Sequence, residues 1–303
     1  MDEWLTRLDA LGLRPDTVLG KGVEGVVVRL HGGGVAKVWH DRTEPQLRTL
    51  QVFYAAVAVA GLPLRTPVVS DVVDLGGRFA TLEPLLPGRP LASPDPRPAV
   101  TDADAHAMAD VLAALSAVTP TPPMARLPAL PGEPPLGTAS GFATALADLV
   151  DRRVARSAHV LRAALPDLDE TAAAVTEALR SLPPAPAALV HGDLIAANVL
   201  VDEGRPSAVL DFGFLTAVGD PAFDVAVTAS VYDMYGPHAR ETEERLDAVL
   251  ARRFGHDPAR LDVYRAAYAL ATSTCFGSAG QEGHVTWCVA VLRRARVREA
   301  LGL

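Results

Sequence analysis

Lysine is nearly missing from this chain. Of 28 basic residues in 303, only Lys21 and Lys37 are lysine and the other 26 are arginine. Cysteine is as scarce. Cys275 and Cys288 cannot make a disulfide framework at this length, and their apolar surroundings read as core. No C-x-x-C or His-rich cluster points to zinc. A run of ~20 apolar residues is absent, which excludes a membrane span. The acidic start Met1-Asp2-Glu3-Trp4 lacks the basic and apolar regions of a secretory signal. These absences together predict a reduced, cytoplasmic setting. Positive charge is also in deficit: the net charge of −8 argues against a general nucleic-acid binder, which must neutralise phosphates. What remains, 49% apolar and 21% charged residues, is the composition of a folded globular chain, with a soft prior of about two domains.

The pattern changes along the chain. Residues 3–13 carry apolar positions at helical spacing and stop at Gly12 and Pro15. Residues 17–19, 25–30 and 35–39 are rich in branched side chains and read as strands, with His31-Gly32-Gly33-Gly34 turning between the last two. A helix over 44–60 is stopped by Gly61 and Pro63, and 68–73 and 78–83 predict two more strands. Pro84, Pro87, Gly88 and Pro90 form a stiff connector, and proline-rich ground continues to Pro98. Helices follow over 102–118, 139–164 and 169–182, with a proline-rich loop over 120–135. A strand over 188–190 leads into His191, and 199–201 with 208–210 flank a turn as a β-hairpin. From Asp224 the chain is again helical, and Asp257-Pro258 is a helix start. The expected class is α+β: a small antiparallel β-sheet part with one helix over 1–85, a hinge, and a larger α-helical part over 86–303.

Three motifs carry chemistry. Gly20-Lys21-Gly22-Val23-Glu24-Gly25 is a G-x-G-x-x-G. Glycine lets the backbone approach phosphate where side chains would block it. In dinucleotide folds this motif opens a helix; here Val26-Val27-Val28 continues as strand, which favours a hairpin folded over a nucleotide. Lys37 falls in the next strand, where a compact ammonium suits the α/β-phosphates. The strongest motif is His191-Gly192-Asp193-Leu194-Ile195-Ala196-Ala197-Asn198 followed by Asp211-Phe212-Gly213. Asp193 and Asn198 keep the kinase spacing, in which the aspartate orients the hydroxyl and accepts its proton. Asn198 and Asp211 carry the hard oxygens that suit Mg²⁺, and a hairpin between them brings them to one place.

Residues 189–194, 198–201, 209–213 and 219–224 resemble the aminoglycoside phosphotransferase / choline kinase family, in which Gly192 stands where protein kinases have arginine. The resemblance implies a bilobal, protein-kinase-like fold that phosphorylates small-molecule hydroxyls with ATP. It implies Asp193 as base, Asn198 and Asp211 as Mg²⁺ ligands, and Lys37 with Gly20, Lys21, Gly22 and Gly25 at the nucleotide. The backbone of Glu83 and Leu85 would meet adenine, and Asp220 and Asp224 would brace the loops. One departure stands out. The family pairs its strand lysine with a helix glutamate, but the expected position falls near Gln51, and Glu44 is the only acid in that region. Whether Glu44, Gln51 or the phosphate alone orients Lys37 stays open. The motifs do not separate ATP from GTP.

Only ten residues separate Gly213 from Asp224, and no Ala-Pro-Glu follows. This spacing disfavours a peptide platform and favours a small-molecule hydroxyl acceptor. Asp233 and Tyr235, and Gln281, Glu282 and His284 in a Gly-rich break between the last two helices, are the acceptor candidates. Acidic Asp233 and Glu282 suit a cationic aminoglycoside or a similar antibiotic. A metabolic kinase acting on a choline-, sugar- or homoserine-like acceptor is the alternative. A non-catalytic nucleotide-binding module is opposed by the presence of Lys37, Asp193, Asn198 and Asp211 together.

Overall fold

The computed structural model describes residues 3–92, 99–137, 141–276 and 278–303. After helix α1 (Glu3–Ala10), strands β1 (Pro15–Lys21), β2 (Gly25–Leu30), β3 (Val35–Trp39), β4 (Asp71–Asp74) and β5 (Phe79–Glu83) form one antiparallel sheet in the order β1-β2-β3-β5-β4. Side chains alternate between the two faces of a strand. Val26, Val28, Leu30, Ala36 and Val38 point to one face and bury against Trp4 and Leu8 of α1. Lys37 is thereby turned to the other face, opposite Val27 on one side and Thr81 on the other. Helix α2 (Glu44–Ala58) packs on that side. It starts where the Thr43 backbone N–H donates to Gln46 Oε1 at 2.8 Å, a cap that satisfies one free helix donor.

The longer remainder is mostly helical: α3 (Asp102–Ser116), α4 (Phe142–Ala164), α5 (Leu168–Ser181), α6 (Pro221–Val231), α7 (Ala239–Phe254), α8 (Pro258–Thr272), α9 (Ser278–Leu292) and α10 (Ala295–Ala300). As expected, Asp257 caps α8, accepting from the Ala259 N–H at 3.1 Å. The hairpin β8 (Val199–Asp202) and β9 (Arg205–Val209) is present. Two strands were not expected. β6 (Arg89–Pro90) pairs with β8, and β10 (Ala217–Gly219) pairs with β7 (Ala188–Val190). The expected break at Gln281–His284 is also absent: residues 281–284 lie inside α9, and the chain between α8 and α9 is irregular at 273–276. Burial of Val285, Cys288 and Val289 on the inner face of α9 outweighs the glycine cost in its first turns. The prolines over 93–98 and the start of the helix expected from 139 lie outside the described residues. Cys275 and Cys288 are free thiols. Among the described residues no helix is long and apolar enough to cross a membrane.

The sheet and the helical part share one core. Phe212 sits 5.3 Å from Phe53 and 6.0 Å from Tyr54, both on α2, centroid to centroid. Backbone bonds reinforce this join: Arg65 N–H donates to Ser207 O at 3.0 Å, and Val209 N–H donates to Arg65 O at 2.9 Å.

Gly25 is fixed by strand packing. A Cβ there would lie 2.2 Å from the Val38 carbonyl oxygen, so β2 and β3 would have to separate. Gly25→Ala is expected to lower stability by about 2–3 kcal/mol, read from the midpoint of urea unfolding. Gly22→Ala, whose Cβ would meet nothing within 4 Å, should leave the midpoint near that of the parent. Equal midpoints for Gly25→Ala and the parent would contradict the packing argument.

Candidate active site

The short pair β7 and β10 holds the segment that carries Asp193. Val190 pairs with Ala217, and the chain then turns through His191 and Gly192. Gly192 has φ +88°, and a Cβ there would lie 2.4 Å from both Phe214 O and Leu215 C. That is the physical reason for glycine here: no side chain fits between the turn and the Phe214–Leu215 backbone behind it. Asp224, near the start of α6, accepts from the His191 N–H at 2.6 Å and the Gly192 N–H at 2.8 Å. Its carboxyl is pushed up to about 6, because burial outweighs those two backbone bonds. Thr216 Oγ1 donates to His191 O at 2.6 Å and accepts from Gly213 N–H at 2.7 Å, tying the two loops together.

His191 is fully buried, and its pKa is lowered to about 4, chiefly by burial. Its Nε2–H donates to Leu210 O at 2.8 Å, and Nδ1 accepts from the Asp193 N–H at 3.2 Å. This network assigns the tautomer and fixes the backbone of Asp193 from inside. Asn198 donates its Nδ2–H to Asp193 O at 3.0 Å, so the side-chain oxygen is the end left for a cation. Leu210 N–H donates to Asn198 O at 2.8 Å; the hairpin therefore does bring Asn198 and Asp211 together. Asp211 adopts a left-handed backbone, φ +59°, rarely populated without a compensating role.

Lys37 bridges the sheet to this loop system. Its Nζ pairs with Asp211 Oδ1 and lies 3.7 Å from Glu24 Oε2. The ammonium rests 4.0 Å from the Trp39 ring centroid, and Trp39 Nε1–H donates to Thr81 Oγ1 at 3.1 Å. Burial pulls the Lys37 pKa down, but the charges of Asp211 and Glu24 reverse the balance and hold it above the ordinary value. Asp211, about half exposed (51%), is held below the usual carboxylate range: desolvation by the surrounding residues pushes it up, and Lys37 more than offsets this. Asp193 moves the other way, up to about 7, first by burial and then through the charges of Asp211, Glu24 and Asp224.

Neither Glu44 nor Gln51 reaches Lys37. Glu44 pairs with Arg48 at 3.3 Å, and Gln51 Nε2–H donates to Val69 O at 3.0 Å. Sequence reasoning passed over Glu24, Arg42 and Thr216. Arg42 donates to Glu24 Oε1 at 2.6 Å. A charged residue inside the glycine-rich motif was the available signal for Glu24; Thr216 gives none. Gly20 and Lys21 end β1, with Lys21 exposed, and the Gly22 N–H donates to Gly25 O at 2.9 Å to close the hairpin tip. Glu83 ends β5. Its side chain accepts from Thr81 Oγ1 at 2.7 Å, and burial raises its pKa. Leu85 is exposed just beyond.

The acceptor candidates separate. Asp233 is buried, with Oδ2 unpartnered among the described residues. Tyr235 is exposed, and its hydroxyl is 2.6 Å from Nδ1 of buried His284. Gln281 and Glu282 lie in α9, and their side chains fall outside those described. Asp220, expected to brace the loops, caps α6 and ties it to α8, accepting from the Ala222 N–H at 2.9 Å, Arg260 Nε at 2.7 Å and the Tyr264 hydroxyl at 2.6 Å.

Among the described residues no group of three or more His, Cys, Asp and Glu side chains could hold a metal. One carboxylate and one amide oxygen fit Mg²⁺, which is commonly held by one or two carboxylates together with substrate phosphates and water.

An antiparallel sheet over a helical part, with a lysine, an aspartate and an Asn–Asp pair meeting in the cleft between, defines a kinase-like phosphotransferase. The chain belongs to the phosphotransferase enzyme family (APH), whose model matches residues 16–264. It is a small-molecule kinase of that family. Among curated proteins no significant sequence match is found. Solved structures with the same fold include the macrolide 2'-phosphotransferase MphH from Brachybacterium faecium, with TM-score 0.61, 21% identity and coverage of 97% of this chain and 98% of that one. A thermostable mutant of the aminoglycoside phosphotransferase APH(4)-Ia, solved with AMP-PNP and hygromycin B, gives TM-score 0.74, 19% identity and 98% coverage of both chains. APH(3'')-Id from Streptomyces rimosus, solved with ADP and streptomycin, gives TM-score 0.53, 19% identity and coverage of 88% and 96%.

Proposed function

We propose that this chain transfers the γ-phosphoryl group of ATP to a hydroxyl of a hydroxylated antibiotic, an aminoglycoside or a macrolide. The observation that carries the reading is the convergence of Lys37, Asp193, Asn198 and Asp211: Lys37 pairs with Asp211, and His191 and Asn198 hold the backbone of Asp193. It accords with the acceptors bound or named in the similar structures.

In this reading residues 1–85 cover the nucleotide and 86–303 carry the acceptor site. Lys37 binds the nucleotide phosphates, under a loop formed by Gly20, Lys21, Gly22 and Gly25. The backbone of Glu83 and Leu85 meets the base. Asp193 accepts the proton of the attacking hydroxyl as the new O–P bond forms and the bond to the ADP oxygen breaks. Its raised pKa strengthens it as a base near neutral pH. Asn198 and Asp211 would hold Mg²⁺, which neutralises phosphate charge when bound. Tyr235, Asp233 and Glu282 are assigned to the acceptor side. The setting is cytoplasmic, where ATP is supplied.

Expression in an antibiotic-susceptible host is the test. The parent chain should raise the inhibitory concentration of at least one aminoglycoside or macrolide, and Asp193→Asn should not. If neither changes resistance while hydroxylated metabolites drive ATP consumption, the metabolic-kinase alternative replaces this reading.

A further inference from the structure

The glycine-rich loop carries an acid that phosphate binding itself does not use. Glu24 faces the cleft with both oxygens engaged: Oε1 accepts from Arg42 Nη2 at 2.6 Å, and Oε2 lies 3.7 Å from Lys37 Nζ. The helix that would ordinarily supply a partner for a strand lysine has none to give. Glu44 is turned to Arg48, and the amide of Gln51 is held by the carbonyls of Val69 and Ser70 at 3.0 and 3.4 Å. Among the described residues the ion pairs of Lys37 are therefore with Asp211 and Glu24. Asp211 is the carboxylate assigned above to Mg²⁺, and a carboxylate shared with a dication is a weaker partner for an ammonium. Glu83 also contributes charge near Lys37, but its carboxylate accepts from Thr81, so Glu24 is the remaining ion-pair partner to hold Lys37 above the Trp39 ring.

We propose that Glu24 positions Lys37 for the nucleotide phosphates, from the loop instead of from the helix. Because Arg42 grips the other oxygen, the same acid ties the loop tip to the start of α2. Loop closure and lysine position are thus one adjustment. Glu24 touches no reacting atom and acts through Lys37. The inference rests on the phosphotransferase reading, in which Lys37 meets nucleotide phosphates.

Calorimetric titration of Mg·AMP-PNP into the full chain tests it without an acceptor or turnover. Glu24→Gln should weaken binding about tenfold, the scale of losing a supporting partner of a bound group. In a Lys37→Met background the same substitution should change binding less than about twofold, because its effect travels through the lysine. Glu44→Gln should leave binding near that of the parent. An equal loss in both backgrounds overturns the proposal, since Glu24 would then act on the loop alone; so does no loss when Lys37 is intact. If Glu24→Gln does not fold, Glu24→Asp, which keeps the charge and shortens the reach, gives the same cycle with a smaller step. Failure of the parent itself to bind Mg·AMP-PNP overturns the phosphotransferase reading and this proposal with it. Normal binding by the parent together with an inert Glu24→Gln overturns this proposal alone.

Discussion

Asp193→Asn is expected to lower turnover by ~10²- to 10⁴-fold, the range for loss of a general base, while Mg·ATP still binds. The same substitution should also make the protein more stable at pH 8. The Asp193 carboxyl is pushed up to about 7 by burial and by the charges of Asp211, Glu24 and Asp224, whereas an aspartate in the unfolded chain titrates at about 3.9. Between those values the folded chain keeps a proton that the unfolded chain has released. Native stability therefore declines as pH rises through this window, and the whole penalty is present above about pH 7. Asparagine carries no charge and escapes it. The melting temperature of the variant should exceed that of the parent at pH 8, and the gap should close near pH 4. A gap of the same size at both pH values would contradict the charge argument, and unchanged turnover would remove Asp193 from the chemistry.

The second large effect is at Asp211. In the proposed reading, Asp211→Ala removes a cation ligand together with the direct ion-pair partner of Lys37. Metal stabilisation of transferring phosphate is worth several kcal/mol, so turnover should fall by ~10³-fold or more. The distinguishing readout is nucleotide affinity as a function of magnesium. In the parent, added Mg²⁺ should tighten AMP-PNP binding; in Asp211→Ala it should do so little or not at all. A normal magnesium dependence in the variant would show that Asp211 is not a ligand.

Much of this was legible in the sequence because local chemistry forces it. Branched alternation over 25–39 gives β2 and β3, and with them the face on which Lys37 sits. The hairpin between Asn198 and Asp211 follows from two apolar runs around Asp202-Glu203-Gly204-Arg205. The features that escaped depend on pairing across long separations. β6 and β10 are two and three residues long, too short to show a period, and each exists only through its partner strand. Glu24 meets Lys37 across the β2–β3 hairpin and Arg42 beyond it, contacts that no helix spacing reveals. The glycines near 280 suggested a break, but burial on the inner face of α9 decided for helix. His284 sits fully buried under Tyr235, where sequence placed it in a turn.

The central claim is phosphoryl transfer to a small-molecule hydroxyl with Asp193 as base. The most direct test incubates the parent chain and Asp193→Asn with Mg·ATP and a panel of aminoglycosides and macrolides, followed by mass spectrometry of the products. The account predicts that at least one acceptor gains a single phosphoryl group on a hydroxyl oxygen with the parent and stays unmodified with the variant over the same time. Equal phosphorylation by both proteins, or no phosphorylated acceptor in that panel or among hydroxylated metabolites, would contradict it.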